Sequence, residues 1–260
     1  MKTRISSDNP FGYNRYGYAW EHVPTDGAAH LDYGCYGGNL LNSLRAKGVS
    51  RLVGLDASRE AIGIGQEKFP KLELIHVDAN VPLPFEDKIF NSISIIDVLE
   101  HIHIDDQIRL LKEFRRVLLD DGILIITVPR QHVFSFLDMG NLKFRFPTLH
   151  KWLYCLGHSK QEYQYRFVSN PDGLVGDVSA KKRWHEHFTP SHMADLLSKA
   201  DFKVVEFDGS GLFMRIIRGL RKLLGWIGPA DRMFRKLGSW DMKRFQSVNL
   251  YCVAKIQPQG

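Results

Sequence analysis

Cysteine is scarce in this 260-residue chain. Cys35, Cys155 and Cys252 stand far apart and form no C-x-x-C pair. That argues against a disulfide framework and a cysteine zinc site, and it suits a reducing cytosol. No apolar run approaches the roughly 20 residues of a membrane span. Met1-Lys2-Thr3-Arg4 leads into no apolar core of signal-peptide length. Acid is scarce in one place. Between Met214 and Phe245 only Asp231 and Asp241 stand against nine Lys and Arg, so this stretch carries +7 in a chain whose net charge is +6. The remainder is close to neutral. The whole chain's 44% hydrophobic and 25% charged content is that of an ordinary globular protein, long enough for one large domain with insertions. A cytoplasmic location is expected.

The stretch Ala29-His30-Leu31-Asp32-Tyr33-Gly34-Cys35-Tyr36-Gly37-Gly38-Asn39 reads as a buried strand, a glycine turn and a helix. Asp32 closes the strand, at the edge where open α/β sheets bind ligands. The helix from Asn39 aims its positive N-terminus at the same spot. A pyrophosphate would not tolerate Asp32 beside it. S-adenosylmethionine would: its ammonium suits Asp32 and its carboxylate suits the helix N-terminus.

Leu31 to Gly38 resembles the first motif of class I S-adenosylmethionine-dependent methyltransferases, D-x-G-x-G-x-G, with Tyr36 where the middle Gly is expected. Asp56 closes a second strand, Arg51–Asp56, 22 residues beyond Gly34, close to the ~20-residue offset at which an acid reaches ribose hydroxyls. A third strand, Leu72–Ala79, carries Asp78 near its end. The resemblance implies that Asp78 accepts from the adenine amino group and that Ala79 lines the ring. Three acids closing three successive strands are more specific than any one of them. Ile89–Ile96 reads as a near-continuous apolar strand for the sheet centre. Asp97 follows it and is assigned to the cofactor, with Gly34, Tyr36 and Gly38 of the turn. Residues 105–119 show helical spacing, Asp120-Asp121-Gly122 stops that helix, and Ile123–Val128 is the fifth strand. The resemblance implies a Rossmann-like doubly wound α/β fold: seven strands, mostly parallel, with an antiparallel last strand.

Residues 1–260 are expected to form one domain with two additions. Arg15-Tyr16-x-x-Ala19 resembles the N-terminal segment that covers the methionine end of the cofactor, which puts Tyr16 in the site; packing of these aromatics on the sheet is the other reading. Residues 130–182, rich in Phe, Leu and Trp, are expected to form a lid over the acceptor. Phe136-Leu137-Asp138-Met139-Gly140-Asn141 with Phe144-Arg145-Phe146-Pro147 is similar to the lid of enzymes encoded with bacterial surface-glycan genes. Phe202–Phe207 and Val248–Ala254 are the last two strands. Residues 210–246 intervene as a basic amphipathic insertion, with apolar residues from Phe213 to Ile227 at helical spacing, broken by Gly228-Pro229. Peripheral contact through 212–245 with an anionic inner membrane surface is one reading. Packing or dimer contact is another, nucleic acid is disfavoured, and the oligomeric state is open.

Methyl transfer to oxygen needs a base within hydrogen-bond reach of the acceptor. His101 is the first candidate and His187 the second, with Asp97, Glu100 and His185 nearby in the pattern. Asp97-x-x-Glu100-His101 is also similar to the E-x-x-E-H arrangement of divalent-metal methyltransferases; with Asp leading it, no metal ligand is assigned. The expected function is O-methylation of a sugar, lipid-linked or other small-metabolite acceptor. The alternatives are a non-catalytic cofactor-binding or adaptor protein and, disfavoured by Asp32 and the Gly spacing, an NAD-dependent oxidoreductase.

Overall fold

A computed structural model of the protein describes residues 5–78, 82–132, 135, 142, 146–169, 186–245 and 248–258. Seven strands form one sheet: β1 (Ala29–Tyr33), β2 (Arg51–Asp56), β3 (Glu73–His76), β4 (Phe90–Ile96), β5 (Leu118–Pro129), β6 (Phe202–Gly209) and β7 (Asn249–Ile256). Their order is β3-β2-β1-β4-β5-β7-β6. β7 runs antiparallel to both neighbours, and the pairs from β3 to β5 are parallel. This is a Rossmann-like methyltransferase fold. The chain reverses at β1, which is where ligands bind in open α/β sheets.

Alternation along the strands assigns each face. Leu31, Ile93 and Ile95 join the core shared with α4 (Ile104–Val117) and α7 (Pro190–Ser198). Ile96, Ile125 and Val253 face the other way, under α1 (Arg15–His22), α2 (Asn39–Lys47) and α3 (Arg59–Lys68). α1 is held down by Tyr18 and Trp20, both buried. Lys47 donates to the carbonyls of Trp20 and Val23, satisfying the open C-terminal end of α1. Two short helices, α5 (Pro147–Tyr154) and α6 (Lys160–Gln164), lie within residues 130–182, the expected lid. α8 (Met214–Leu224) and α9 (Gly228–Phe245) fill the gap between β6 and β7.

Three element boundaries differ from expectation. α4 ends at Val117, and β5 starts at Leu118, so Asp120-Asp121-Gly122 lies within a strand. The pairing with β4 slips there, from Phe90–Leu118 to Ser92–Ile123, and the two Asp point to solvent from the bulge. β3 ends at His76, two residues before Asp78. Gly228-Pro229, expected as a break, opens a helix of 18 residues, Gly228–Phe245.

Candidate functional site

The C-terminal ends of β1, β2 and β4 converge on the turn after β1. Gly34 has φ of +80°, and a Cβ there would fall 2.2 Å from Val98 Cγ2, so only glycine lets the chain pass. Its N–H and that of Cys35 both donate to the Leu55 carbonyl, tying the turn to β2. Tyr36 takes φ of +50°, a left-handed conformation that explains why glycine is expected at this position. Its ring is exposed, and its N–H donates to Asp56 Oδ2 at 2.7 Å. The Ser58 N–H donates to Asp56 Oδ1 at 2.9 Å. Burial lifts the Asp56 carboxyl above its ordinary range, and these N–H donors oppose the shift. Gly38 caps α2 without a side-chain hydrogen bond, leaving the first N–H groups of that helix available to an anion. Asp78 is 79% exposed beside His76 at 3.9 Å. Ala79 lies outside the described residues.

Asp32 sits differently from its partners. It is 4% exposed and accepts from Ser94 Oγ at 2.5 Å. Ser94 Oγ also meets His30 Nε2 at 3.1 Å, and His30 Nδ1 meets Ser92 Oγ at 2.8 Å. His30, Ser92 and Ser94 are fully buried, so a polar strip runs inside the sheet beneath α1 and α2. Burial pushes the His30 imidazole down to about 3. Burial pushes Asp32 up to about 7, against the opposing Ser94 bond. A neutral imidazole has one donor and one acceptor. With Asp32 ionised, Ser94 donates to Asp32, His30 Nε2–H donates to Ser94, and Ser92 donates to Nδ1. The i, i+2 spacings of His30/Asp32 and Ser92/Ser94 placed each pair on one face; reading β4 as apolar hid the strip.

Asp97 follows β4 at φ of +52°. Thr127 holds it twice: its carbonyl accepts the Asp97 N–H at 2.9 Å, and its hydroxyl donates to Oδ1 at 2.8 Å. Arg15 pairs with Asp97 Oδ2, which pins α1 over the end of β4. The Arg15 guanidinium also lies over the Tyr16 ring, 5.1 Å from its centre. In the N-terminal segment Tyr18 and Trp20 pack on the sheet, while Arg15 reaches Asp97 at the end of β4 and carries Tyr16 beside it.

His101 closes a one-turn helix, Leu99–His101, and its side chain is partly exposed, 4.0 Å from the buried Glu100. His187 lies in a segment that runs beside the end of β5, where Phe188 N–H donates to the Pro129 carbonyl. Buried Gln107 joins these regions. Its Nε2 donates to the Leu99 and Ile102 carbonyls and to Glu186 Oε2 at 2.7 Å. The loop that carries His101 and the segment that carries His187 are thus fastened to one amide. His185 and part of the expected lid, including Phe136 and Phe144, lie outside the described residues. Among the described residues, no group of three His, Cys, Asp or Glu converges as a metal site.

Residues 18–207 match a family described as "Methyltransferase domain". The chain belongs to the class I S-adenosylmethionine-dependent methyltransferases. It is 37% identical over 190 residues to the uncharacterized protein MJ1252 of Methanocaldococcus jannaschii, across 72% of this chain and 66% of that protein, just under two thirds. Among solved structures, it resembles an S-adenosylmethionine-dependent methyltransferase from Mesorhizobium loti (TM-score 0.56, 16% identity, 94% and 98% of the two chains). It resembles to the same extent the [4+2]-cyclase SpnF (TM-score 0.56, 15% identity, 94% and 79%). At such identities the likeness is one of fold.

The residues present fit the methyltransferase cofactor. Gly34 lets the turn pass tight against Val98, α2 opens without a side-chain cap, and Asp56 is aimed by two backbone N–H groups. Residues that carry the geometry without a motif are Ser94, His30, Thr127 and Gln107. Each is a single polar residue within an apolar run or on a helix, a signal too weak to find alone.

Proposed function

We propose that this methyltransferase binds S-adenosylmethionine along the edge from Asp32 to Asp78 and methylates an oxygen of a sugar, lipid-linked or other small-metabolite acceptor. The observation that carries this is Asp56. Two N–H donors fix its plane, and a carboxylate keeps further lone pairs for a vicinal diol. When bound, the cofactor supplies an electrophilic methyl group on a sulfonium. Asp56 takes the ribose hydroxyls and Asp78 the adenine amino group. The N-terminus of α2 takes the carboxylate, and Asp32 supplies negative charge beneath the ammonium. Arg15, Tyr16 and Asp97 close the methionine end. His101 removes the acceptor proton, with His187 the second candidate, and Gln107 keeps their two segments in place.

The test is release of S-adenosylhomocysteine from S-adenosylmethionine with a panel of sugars, catechols and polyprenyl alcohols. Release that requires both an acceptor and His101 supports the reading; release unaffected by His101→Ala and by His187→Ala refutes the base assignment. Tyr36 favours a second reading, a non-catalytic cofactor-binding or adaptor protein. Calorimetric binding without release from any acceptor would favour it. Binding of NAD, with neither sulfur compound bound, would favour an oxidoreductase.

A further inference from the structure

The helical hairpin α8–α9 is closed at one end and bare at the other. At its base, Phe213 N–H donates to both oxygens of Asp241, at 3.0 Å each. Asp241 is fully buried, and a Cβ on Gly211 would lie 2.1 Å from its Oδ2. Midway, buried Gly238 lies against Ile217. Nearer the tip, Arg221 Nε donates to Asp231 Oδ1 at 2.6 Å. The pairs 213/241, 217/238 and 221/231 step in opposite directions along the two helices, so the helices run antiparallel. Their base grows from the C-terminal end of β6, at the same sheet edge as the acids of the site.

The tip spans Leu223 to Ile227. Trp226 at 82% and Leu223 at 71% are the two most exposed large apolar side chains among the described residues. Leu220, Leu224, Ile227 and Met233 extend this exposed apolar surface. The polar atom of Trp226 is already engaged, donating to the Leu223 carbonyl at 3.2 Å. The ring can therefore leave water without stranding a donor. Both acids of the hairpin are spent inside it, Asp231 on Arg221 and Asp241 at the base. Arg232 and Lys236 are exposed. The hairpin thus joins a +7 sequence to an apolar, aromatic tip.

We propose that the α8–α9 hairpin docks this protein on an anionic lipid bilayer, with Trp226 and Leu223 inserted at the headgroup boundary and the surrounding Lys and Arg against lipid phosphates. Charge complementarity selects this occupant: the hairpin's sequence carries +7, Arg232 and Lys236 are exposed, and an anionic surface pairs with such charge while the tip is buried. Neither helix could cross a bilayer; no helix among the described residues is long and apolar enough. The docking is independent of which acceptor is methylated.

The test is flotation of the full chain with vesicles of phosphatidylcholine alone or mixed with phosphatidylglycerol. The expected result is association with the mixed vesicles at low salt, weakened by added salt. It should fall at least about tenfold in Leu223→Ser/Trp226→Ser, which removes two inserted side chains, while the melting temperature and cofactor binding hold. A blue shift of tryptophan emission on adding mixed vesicles should vanish in Trp226→Phe, which leaves the fold untouched. Absence of flotation on mixed vesicles, flotation equal on both vesicle types, or flotation and a blue shift indifferent to these substitutions would overturn the proposal. So would a dimer or an RNA complex that depends on Leu223 and Trp226.

Discussion

Two regions at one sheet edge are built on opposite principles. The turn after β1 is fixed from below: Leu55 holds its backbone, Asp56 is held by Tyr36 and Ser58, and Asp32 is buried on Ser94. The α8–α9 hairpin is sealed at its base by Asp241 and exposes Leu223 and Trp226 at its tip. A preorganised polar site suits a small ligand that must be oriented to a fraction of an ångström. An exposed apolar tip on a hairpin whose sequence is strongly basic suits a surface without fixed geometry. Substitutions should therefore act through orientation in the first region and through buried area in the second.

The largest effect is expected where orientation meets chemistry. His101→Ala should lower turnover about 10²- to 10⁴-fold, the range for a lost general base. The melting temperature should hold, since the side chain is partly exposed. An unchanged rate would transfer the role to His187, for which the same measurement applies.

The buried turn should also show itself in the pH dependence of stability. The folded Asp32 carboxyl is raised to about 7 from 3.8. The folded state therefore holds a proton that the unfolded chain has released between these limits. Asp32's own contribution to stability is greatest below the ordinary carboxylate range and falls as pH rises to about 7, by at most about 1.4 kcal/mol per pH unit, while His30, pushed down to about 3 from 6.5, contributes the opposite slope between its own limits. The difference in denaturant midpoint between the unsubstituted chain and Asp32→Asn, followed across this window, should reveal the Asp32 slope. His30→Ala would break the strip differently. It leaves Ser94 without the imidazole donor and opens a cavity, at a cost of about 2–4 kcal/mol in chemical denaturation.

The smallest effect sharpens the comparison most finely. Tyr36→Gly relieves a left-handed residue but adds freedom to the unfolded chain, for a net gain of under about 1 kcal/mol. If cofactor affinity also stays level, the exposed ring is a tolerated variant. A marked loss of affinity would make the ring part of the site.

The turn, the strand-ending acids and the order of strand and helix were legible because each repeats a local pattern: an apolar run, then an acid, then a cap. The polar strip was not legible, because Ser92 and Ser94 look like interruptions of an apolar strand until His30 is set opposite them on β1. The bulge at Asp120-Asp121-Gly122 reads as a helix stop in sequence, and only pairing with β4 shows the strand continuing through it. Gln107 sits within the periodic run of α4, and its partner Glu186 lies 79 residues away. The basic amphipathic pattern of the hairpin was plain in sequence. That its base would be sealed by Asp241 was not, since the seal depends on the close approach at Gly211.

Calorimetry with S-adenosylmethionine on the full chain and on Asp56→Ala tests the central claim most directly. Binding is predicted for the full chain. In the variant it should weaken about 10²-fold, the loss of charged hydrogen bonds to two hydroxyls. Absence of binding to either S-adenosylmethionine or S-adenosylhomocysteine, or binding indifferent to Asp56→Ala, would contradict the account.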